Sequence, residues 1–311
     1  MKIGMALHPD RGIDAVFAEA RAADQQGFDS IWLSDHLANP FGPDRPDAPM
    51  DSFTLMTGIG AVTRRAQLGW AMLNVSFRHP AVLAKTLATL DHITKGRVIA
   101  TLGSGWFKKE YEAYGVPLVD DHDERVAFGR EVARFVKEAW THPAPEKVNY
   151  KSKWFEVRDL AFNPAPYRKP HPPIWLGGES DATIAAVKEM ADGWVLLGGT
   201  TPEKLRAVLA QPDWPKRNVT LVRGARIHVG ETKDAAVAEA RGVMERGGRF
   251  LPPTLEDFLA REIVGTPAEC LRRIAELKDS GVSYLRFDPM DAAHQERVAR
   301  LILPALASGR A

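Results

Sequence analysis

Side chains that can do chemistry follow two apolar segments of this chain, at the point where each segment ends. Asp35 and His36 come directly after the apolar run 28–33, and Asn74 follows the run 67–73. Carboxylates and imidazoles can transfer protons, and an amide can hydrogen-bond to a ligand. The pattern predicts a site for acid–base chemistry, although a capping carboxylate beside a loop histidine has the same sequence signature.

A second pair, Arg226 and His228, lies within the strand-like stretch 219–229. The two residues alternate with apolar neighbours, so they point to one side of a strand while the apolar set points to the other. If the apolar set packs against helices, the cation and the imidazole face inward, where polar groups are costly unless they serve a purpose. We therefore predict His228 as a proton-transfer group and Arg226 as the partner of a negative charge.

A glycine-rich turn, Gly177-Gly178-Glu179-Ser180, leads into a predicted helix. Glycines let a ligand approach the backbone closely, and the free N–H groups at a helix start attract phosphate. The turn is therefore a candidate phosphate site, although the same residues suit any tight strand-to-helix turn. Arg125, on the predicted helix 120–140, lies either at this phosphate or on a solvated helix face.

Metal-dependent hydrolysis is the competing chemistry for a barrel of this size. Amidohydrolase-like barrels carry a His-x-His motif at the end of the first strand, whereas here His8 is followed by Pro9 and Asp10. No cluster of cysteines and histidines at metal-ligand spacing occurs elsewhere in the sequence. We therefore predict no metal site.

The candidate residues are positioned by an alternation of strand-like and helix-like segments. The strand-like segments are 2–7, 28–33, 67–73, 98–102, 173–176, 193–197, 219–229 and 282–287. Eight such units favour a closed (β/α)8 TIM barrel, in which the carboxyl ends of the strands form the site. No G-x-G-x-x-G follows the first strand, as an open dinucleotide fold would require. We predict one domain over 1–311, with insertions at 142–171 and 246–265.

Composition limits the classes of partner and location. The 41 Lys and Arg residues nearly balance the 40 Asp and Glu residues, which gives no field for nucleic acid or an anionic membrane. A single cysteine, Cys270, excludes an internal disulfide framework and fits a reducing compartment. No apolar run reaches the roughly 18 residues of a membrane span, and the first residues do not resemble a signal peptide. We expect a cytoplasmic protein.

Short motifs along the chain, in order and at characteristic spacing, support a family assignment. They are GFDSIW at 27–32 with SDH at 34–36, RHPAVLAK at 78–85, LDH at 90–92, LGSGW at 102–106, PPIW at 172–175 with GG at 177–178, ADGW at 191–194 and GTP at 265–267. Together they resemble the bacterial luciferase-like flavin-dependent monooxygenase superfamily over nearly the whole chain.

The resemblance implies a barrel that binds a reduced flavin, either FMN or the deazaflavin F420, at the carboxyl end of its strands. It places a non-prolyl cis peptide at Ala71–Met72, against the flavin ring. By position, Asp35, His36, Asn74 and Thr101 approach the ring and ribityl chain, Glu110 and Arg125 lie near the tail, and Gly178, Glu179 and Ser180 form the phosphate site.

Two motifs favour FMN over F420. The segment Arg226-Ile227-His228-Val229 resembles one in FMN-dependent alkanesulfonate monooxygenases that supplies an active-site arginine and histidine. The segment 104–112, Ser-Gly-Trp-x-x-x-Glu-Tyr-Glu, also resembles the FMN-using ring-opening members of the family. Trp106 stands where F420-dependent glucose-6-phosphate dehydrogenases carry a catalytic glutamate, so that activity is not expected. The Ser34-Asp35-His36 tip, however, is shared with F420 oxidoreductases.

We therefore predict a monooxygenase that uses O2 and reduced FMN, supplied by a separate flavin reductase, on a small organic substrate. His36 and His228 are the proposed proton-transfer groups, and the loop 39–50 and the insertion 246–265 are expected to exclude water. The alternatives are an F420-dependent oxidoreductase that transfers hydride without O2 and a non-catalytic flavin-binding protein. The family also suggests a homodimer.

Overall fold

Eight parallel strands close into a barrel in the computed structural model, which describes residues 1–40, 49–197, 200–247 and 251–307. The strands are β1 Lys2–Ala6, β2 Ser30–Leu33, β3 Gln67–Trp70, β4 Leu73–Asn74, β5 Val98–Gly103, β6 Val148–Lys151, β7 Glu156–Leu160, β8 Ile174–Gly177, β9 Gly193–Leu196, β10 Thr220–Ala225, β11 Ile227–Val229, β12 Ile263–Gly265 and β13 Tyr284–Phe287. The barrel runs β3-β2-β1-β13-β10-β9-β8-β5, and pairing of β3 with β5 closes it. The predicted (β/α)8 fold is confirmed.

Helices follow the barrel strands and cover the outside of the sheet. They are α1 Ile13–Gln26, α2 Ser52–Val62, α3 Pro80–Thr94, α4 Lys108–Tyr114, α5 His122–Thr141, α6 Asp181–Met190, α7 Pro202–Leu209, α8 Lys233–Arg246, α9 Leu255–Arg261, α10 Pro267–Asp279, α11 Ala292–Leu301 and α12 Leu303–Ala307. Local capping explains several of the starts. Asp51 accepts from the Thr54 amide, and Thr266 and Glu269 form a reciprocal capping box. The short helices α4 and α7 were not predicted.

Large aromatic side chains fill the inside of the barrel. The Trp32 and Trp175 rings are stacked with centroids 5.6 Å apart, and Tyr284 meets Trp175 edge-on at 5.3 Å. These rings have room because inward-facing Gly4 and Gly69 carry no side chain, and a Cβ at either position would strike Trp32. These aromatic side chains fill the interior of the barrel, so we look for a ligand site at the carboxyl ends of the strands.

The stretch 219–229 is two strands and not one, which corrects the prediction for Arg226 and His228. β10 ends at Ala225, and β11 leaves the barrel to pair with β12 in a separate parallel ladder. The change occurs at Arg226, whose amide donates to Glu262 Oε2 at 2.7 Å and whose carbonyl accepts from Ile263. His228 therefore does not line the barrel.

The two segments predicted as insertions lie outside the barrel sheet. Segment 142–171 contains the antiparallel hairpin of β6 and β7. Segment 246–265 contains α9 and β12, apart from residues 248–250, which are outside the described part of the chain. Most of the loop 39–50 also falls there, since residues 41–48 are not described. Within the described ranges, no helix is long and apolar enough to cross a membrane.

Candidate active site

The predicted cis peptide between Ala71 and Met72 is present, in the gap between β3 and β4. The Met72 side chain lies across the mouth of the barrel against two glycines. A Cβ on Gly103 would come within 3.0 Å of Met72 Cβ, and one on Gly177 would overlap Met72 Sδ. The absence of side chains at Gly103 and Gly177 thus shapes this part of the mouth.

Thr101 supplies a polar group to the mouth that no protein group uses. It lies on β5 between Ile99, which belongs to the barrel interior, and Gly103, so its side chain faces inward. Thr101 is fully buried, and its Oγ1 has no hydrogen-bond partner within the described residues. Buried hydroxyls are normally hydrogen-bonded, so an unpartnered one beside an open strand end fits a ligand contact.

Asp35 is buried and fully engaged by protein groups. Ser52 Oγ donates to its Oδ1 at 2.6 Å and the Asn74 amide to its Oδ2 at 2.9 Å. Arg78 binds both carboxylate oxygens, at 2.8 and 3.2 Å. The prediction placed Asp35 against the ligand. In the structure, Asp35 instead connects the ends of β2 and β4 to the first residue of α2 through these hydrogen bonds.

His36 is held by Glu110, which comes from α4. The His36 Nδ1 atom lies 3.0 Å from Glu110 Oε1, and the Leu37 amide donates to Oε2 at 2.9 Å. The Glu110 side chain is completely buried, whereas the His36 side chain is 17% exposed. Glu110 was predicted near the cofactor tail, and in the structure it contacts His36 and the backbone that follows β2.

Asn74 is also tied to α4. Its Oδ1 accepts from the Tyr111 hydroxyl at 2.8 Å and from the Ser76 amide at 3.2 Å. Burial raises the pKa of Tyr111, so the phenol stays protonated and remains a donor. The backbone passes close to Asn74 at Gly105, where a Cβ would come within 2.7 Å of Nδ2. Asn74 therefore fixes the loop after β5.

Arg125 binds the same loop through two of its three guanidinium nitrogens. Its Nε donates to the Gly105 carbonyl at 3.1 Å, and its Nη1 donates to the carbonyls of Val119 and Asp120 at 2.7 and 3.0 Å. The guanidinium is thus directed at backbone oxygens on either side of α4. This placement differs from the predicted contact with the cofactor tail.

The glycine-rich turn after β8 forms the start of α6, as predicted. Ser180 caps the helix by accepting from the Thr183 amide at 3.3 Å. Gly178 has φ +139°, and a Cβ there would come within 2.8 Å of Thr183 Oγ1, so glycine is required. Glu179 turns aside and accepts from Thr200 Oγ1 at 3.0 Å.

Beside this turn lies a cavity of about 30 Å³ that contains an arginine the sequence did not reveal as functional. Its polar lining includes Ser104, Arg130 and Thr183, next to Gly103 and Gly177. The Nε of Arg130 is buried, and no group in the described ranges accepts from it. Arg130 lies one helical turn after Val126, which puts the cation on the same face of α5. A cation on the apolar face of the predicted helix was the sequence feature that could have pointed to Arg130.

Arg226 and His228, predicted to act together, have separate environments. Arg226 pairs with Glu262 Oε1 at 3.4 Å and with Asp288 Oδ2 at 3.2 Å, at the end of β13. Burial raises the pKa of Glu262. His228 packs instead against Phe258 of α9, with the ring centroids 6.0 Å apart. No hydrogen bond, ion pair or ring contact between described residues joins His228 to His36.

The structure therefore brings together one connected set of residues. His36, Glu110, Asn74 and Asp35 are linked through α4 and the ends of β2 and β4, and Met72 and Thr101 face the same mouth. Residues 1–284 match the profile of the family described as luciferase-like monooxygenase. The chain belongs to this family. It is an enzyme of the luciferase-like oxidoreductase class.

Relatives of this luciferase-like protein include enzymes dependent on either of the two predicted cofactors. An FMNH2-dependent dimethylsulfone monooxygenase of Pseudomonas putida is 27% identical over 306 residues, covering 86% of this chain and 80% of the relative. An F420-dependent glucose-6-phosphate dehydrogenase of Microbacterium testaceum is 29% identical, covering 91% of this chain and 90% of the relative.

Solved structures agree with the luciferase-like barrel. The monooxygenase RslO1 from Streptomyces bottropensis superposes with a TM-score of 0.82 at 23% identity, with both chains fully covered. The coenzyme F420-dependent tetrahydromethanopterin reductase from Methanopyrus kandleri gives a TM-score of 0.74 at 18% identity, covering 97% of this chain and 98% of that chain. At these identities the likeness establishes the fold.

Proposed function

We propose that the protein is a monooxygenase that uses reduced FMN and O2 to oxygenate a small organic substrate, with reduced FMN delivered by a separate flavin reductase. The observation that carries the proposal is the cavity at the start of α6, where the Arg130 Nε is buried without a partner. A half-buried arginine with an unused donor fits a phosphate, because charge-assisted bonds to phosphate are among the strongest that arginine makes.

The tail of FMN matches the polar lining of the cavity. FMN ends in a phosphate monoester, which can lie beside Arg130, Ser104 and Thr183. The first turn of α6 adds free N–H groups and the positive end of the helix dipole.

The mouth of the barrel offers a polar contact for a flavin. Gly103 and Gly177 make room for the Met72 side chain there, since a side chain at either position would collide with it. The inward-facing hydroxyl of Thr101 can hydrogen-bond to a polar edge of the ring or to the ribityl chain. When bound, the reduced flavin supplies the electrons and activates O2.

His36 is our candidate for proton transfer. Glu110 accepts from Nδ1, which selects the tautomer whose Nε2 can take up or release a proton at the mouth. Arg226 is our candidate for contact with a negative group on the substrate, although Glu262 and Asp288 already balance its charge. His228 is left out of this proposal because it lies among α8, α9 and α11.

The test is an anaerobic fluorescence titration with FMNH2 and with F420, followed by oxygen-electrode assays with candidate substrates. We expect micromolar binding of FMNH2, much weaker binding of F420, and O2 uptake that matches product formation. Tighter binding of F420, with hydride transfer in the absence of O2, would replace this proposal. Tight flavin binding with no turnover of any substrate would favour a flavin-binding protein.

An F420-dependent oxidoreductase is the second candidate, supported by the F420-dependent relative that covers 91% of this chain. We do not expect such an oxidoreductase to oxidise glucose 6-phosphate. Trp106 occupies the position at which the resemblance expects the catalytic glutamate, and its ring meets His36 edge-on with centroids 5.7 Å apart. The homodimer suggested by the family stays a prediction.

A further inference from the structure

Two buried histidines and a carboxylate meet outside the barrel, away from the proposed flavin site. His228 comes from β11, Glu239 from α8 and His294 from α11. One ligand atom of each residue lies within 4.8 Å of the others. No part of the proposed oxygenation uses this group, and the spacing of the three residues along the sequence did not predict it.

The two imidazoles lack the hydrogen bonds that buried histidines normally have. His228 and His294 are 7% and 9% exposed, and their rings are stacked with centroids 5.4 Å apart. Both nitrogens of His228 and the Nε2 of His294 are buried without a hydrogen-bond partner among the described residues. Buried polar atoms are normally satisfied, so three of them in one small space point to a binding site for a ligand.

The unpartnered nitrogens can donate electron pairs to a ligand. A neutral imidazole has one nitrogen with a free lone pair and is the commonest metal ligand in proteins. The carboxylate of Glu239 offers an oxygen ligand to the same space as the two rings.

We propose that His228, Glu239 and His294 bind a divalent transition metal, with Zn²⁺ as the best fit. Two imidazoles and one carboxylate are a known zinc ligand set, with bonds of roughly 2.0–2.2 Å and a fourth position left for water. In a tetrahedral site such ligands lie about 3.4 Å apart. The His228 Nδ1 to Glu239 Oε2 distance is 3.7 Å, so small side-chain rotations complete the site.

The donor atoms of the group select for a metal that binds nitrogen. Two of the three ligands are imidazoles, which suit Zn²⁺, whereas hard cations such as Mg²⁺ and Ca²⁺ prefer oxygen ligands. Glu239 can serve two partners, because Arg297 Nη2 binds its Oε1 at 2.5 Å and leaves Oε2 for the metal.

The site would connect three elements, β11, α8 and α11, which the hydrogen bonds of the barrel sheet do not join. β11 has left the barrel sheet, and it contacts α8 on one side and α11 on the other. A metal bound by one residue from each would hold β11 in place. Glu239, whose side chain is 39% exposed, gives the metal its path to solvent.

The experiment is calorimetric titration of chelator-treated protein with Zn²⁺, with Co²⁺ absorption spectra to report coordination and thermal unfolding with and without metal. We expect one equivalent of Zn²⁺, a tetrahedral Co²⁺ spectrum and a higher melting temperature with metal. His228→Ala and His294→Ala should each weaken Zn²⁺ binding by at least about 100-fold, since loss of a partner that only orients a ligand already costs about 10–100-fold.

Glu239→Gln provides the milder variant in case a histidine substitution fails to fold, and it should also weaken binding. The matched control is His171→Ala, which removes an equally buried histidine bonded to the Pro172 carbonyl and should leave Zn²⁺ binding intact. The absence of one-equivalent binding, or equal binding by all four variants, would overturn the proposal. Lost turnover in His228→Ala with Zn²⁺ binding preserved would also overturn it, and would return His228 to catalysis.

Discussion

Glu110 Oε1 lies 3.0 Å from His36 Nδ1, across 74 residues of sequence, and the glutamate is completely buried while the histidine reaches the mouth of the barrel. The Leu37 and Ala38 amides bind the other carboxylate oxygen. The carboxylate is therefore fixed by the backbone beside His36. Because Glu110 Oε1 is an acceptor, it favours the tautomer in which His36 Nδ1 carries the proton.

Replacement of Glu110 with glutamine should reduce turnover and leave flavin affinity nearly unchanged. The amide keeps the shape of the side chain but no longer offers two acceptor oxygens, so His36 loses its preferred tautomer. We expect turnover to fall by about 10–100-fold, the range typical of losing an orienting partner. Single-turnover kinetics and anaerobic flavin titration on the same preparation measure the two effects.

Glu112→Gln is the matched control for Glu110→Gln, because Glu112 lies on the same helix, α4, and is exposed. It should behave as the wild type in both assays. If Glu110→Gln lost flavin binding and turnover in the same proportion, the contact between Glu110 and His36 would be a fold contact and not a device for proton transfer.

Replacement of Thr101 with valine should weaken flavin binding without lowering the stability of the free protein. Valine has nearly the same shape and removes a buried hydroxyl that has no protein partner, so the free protein should be as stable as the wild type or more stable. Reduced flavin should bind more weakly, by about 5–30-fold for one lost hydrogen bond of about 1–2 kcal/mol. Urea unfolding of the free protein and anaerobic titration are the measurements.

Thr94→Val serves as the control for Thr101→Val. The Thr94 side chain is also buried, but its hydroxyl donates to the Leu90 carbonyl at 2.8 Å within α3. Its loss should affect stability without affecting flavin affinity. Unchanged flavin affinity in Thr101→Val would mean that the inward hydroxyl does not contact the cofactor.

Features determined by local pattern were predictable from the sequence, and those determined by distant partners were not. The alternation of segments predicted the barrel, and the cap at Asp51 and the capping box at Thr266 and Glu269 follow from residues close in sequence. The cis peptide at Ala71–Met72 was predicted from family resemblance alone. Nothing near His36 in the sequence indicates that Glu110 is its partner.

The placement of His228 failed for a specific physical reason. Ile227 and Val229 need an apolar surface, and helices provide one both around the barrel and around the small ladder of β11 and β12. The two arrangements therefore share one sequence pattern. Which arrangement forms depends on two hydrogen bonds to residues more than 30 positions away: the Arg226 amide donates to Glu262, and the Ile263 amide donates to the Arg226 carbonyl.

Replacement of Arg130 with glutamine should reduce the preference for FMN over riboflavin. Only FMN carries the phosphate, and a charge-assisted bond to it contributes about 1.5–3 kcal/mol. Wild-type protein should therefore bind reduced FMN more tightly than reduced riboflavin, and the ratio should fall by about 10–100-fold in the variant. Anaerobic titration with the two flavins gives the ratio directly.

Arg125→Gln is the contrasting variant for Arg130→Gln. Arg125 binds backbone carbonyls around α4, so its loss should lower stability and weaken both flavins alike. A specific loss of FMN preference in Arg125→Gln, with none in Arg130→Gln, would restore the placement predicted from the sequence and move the phosphate away from the cavity.

Asp24 joins the end of α1 to the segment before β3. Its Oδ2 accepts from the Arg64 amide at 2.8 Å, and its Oδ1 accepts from the amides of Arg65 and Ala66 at 2.9 and 2.6 Å. Burial alone would raise the pKa of Asp24, but these bonds and the charge of Arg65 outweigh it, and the pKa lies below the ordinary value of 3.8. The ionised form is thus the one that stabilises the fold.

Asp24→Asn should lower the free energy of unfolding at neutral pH by about 1–3 kcal/mol, because a neutral amide oxygen accepts these amides less strongly. A carboxylate with a depressed pKa contributes its stability above the ordinary pKa, and that contribution is lost as pH falls through the depressed value. The difference between wild type and Asp24→Asn should therefore be constant from about pH 8 to 5 and shrink below about pH 4. Urea unfolding across this range tests it, with Asp279→Asn, an exposed carboxylate at the end of α10, as the control. A difference that stayed the same down to pH 3 would show that the contribution of Asp24 does not depend on its charge.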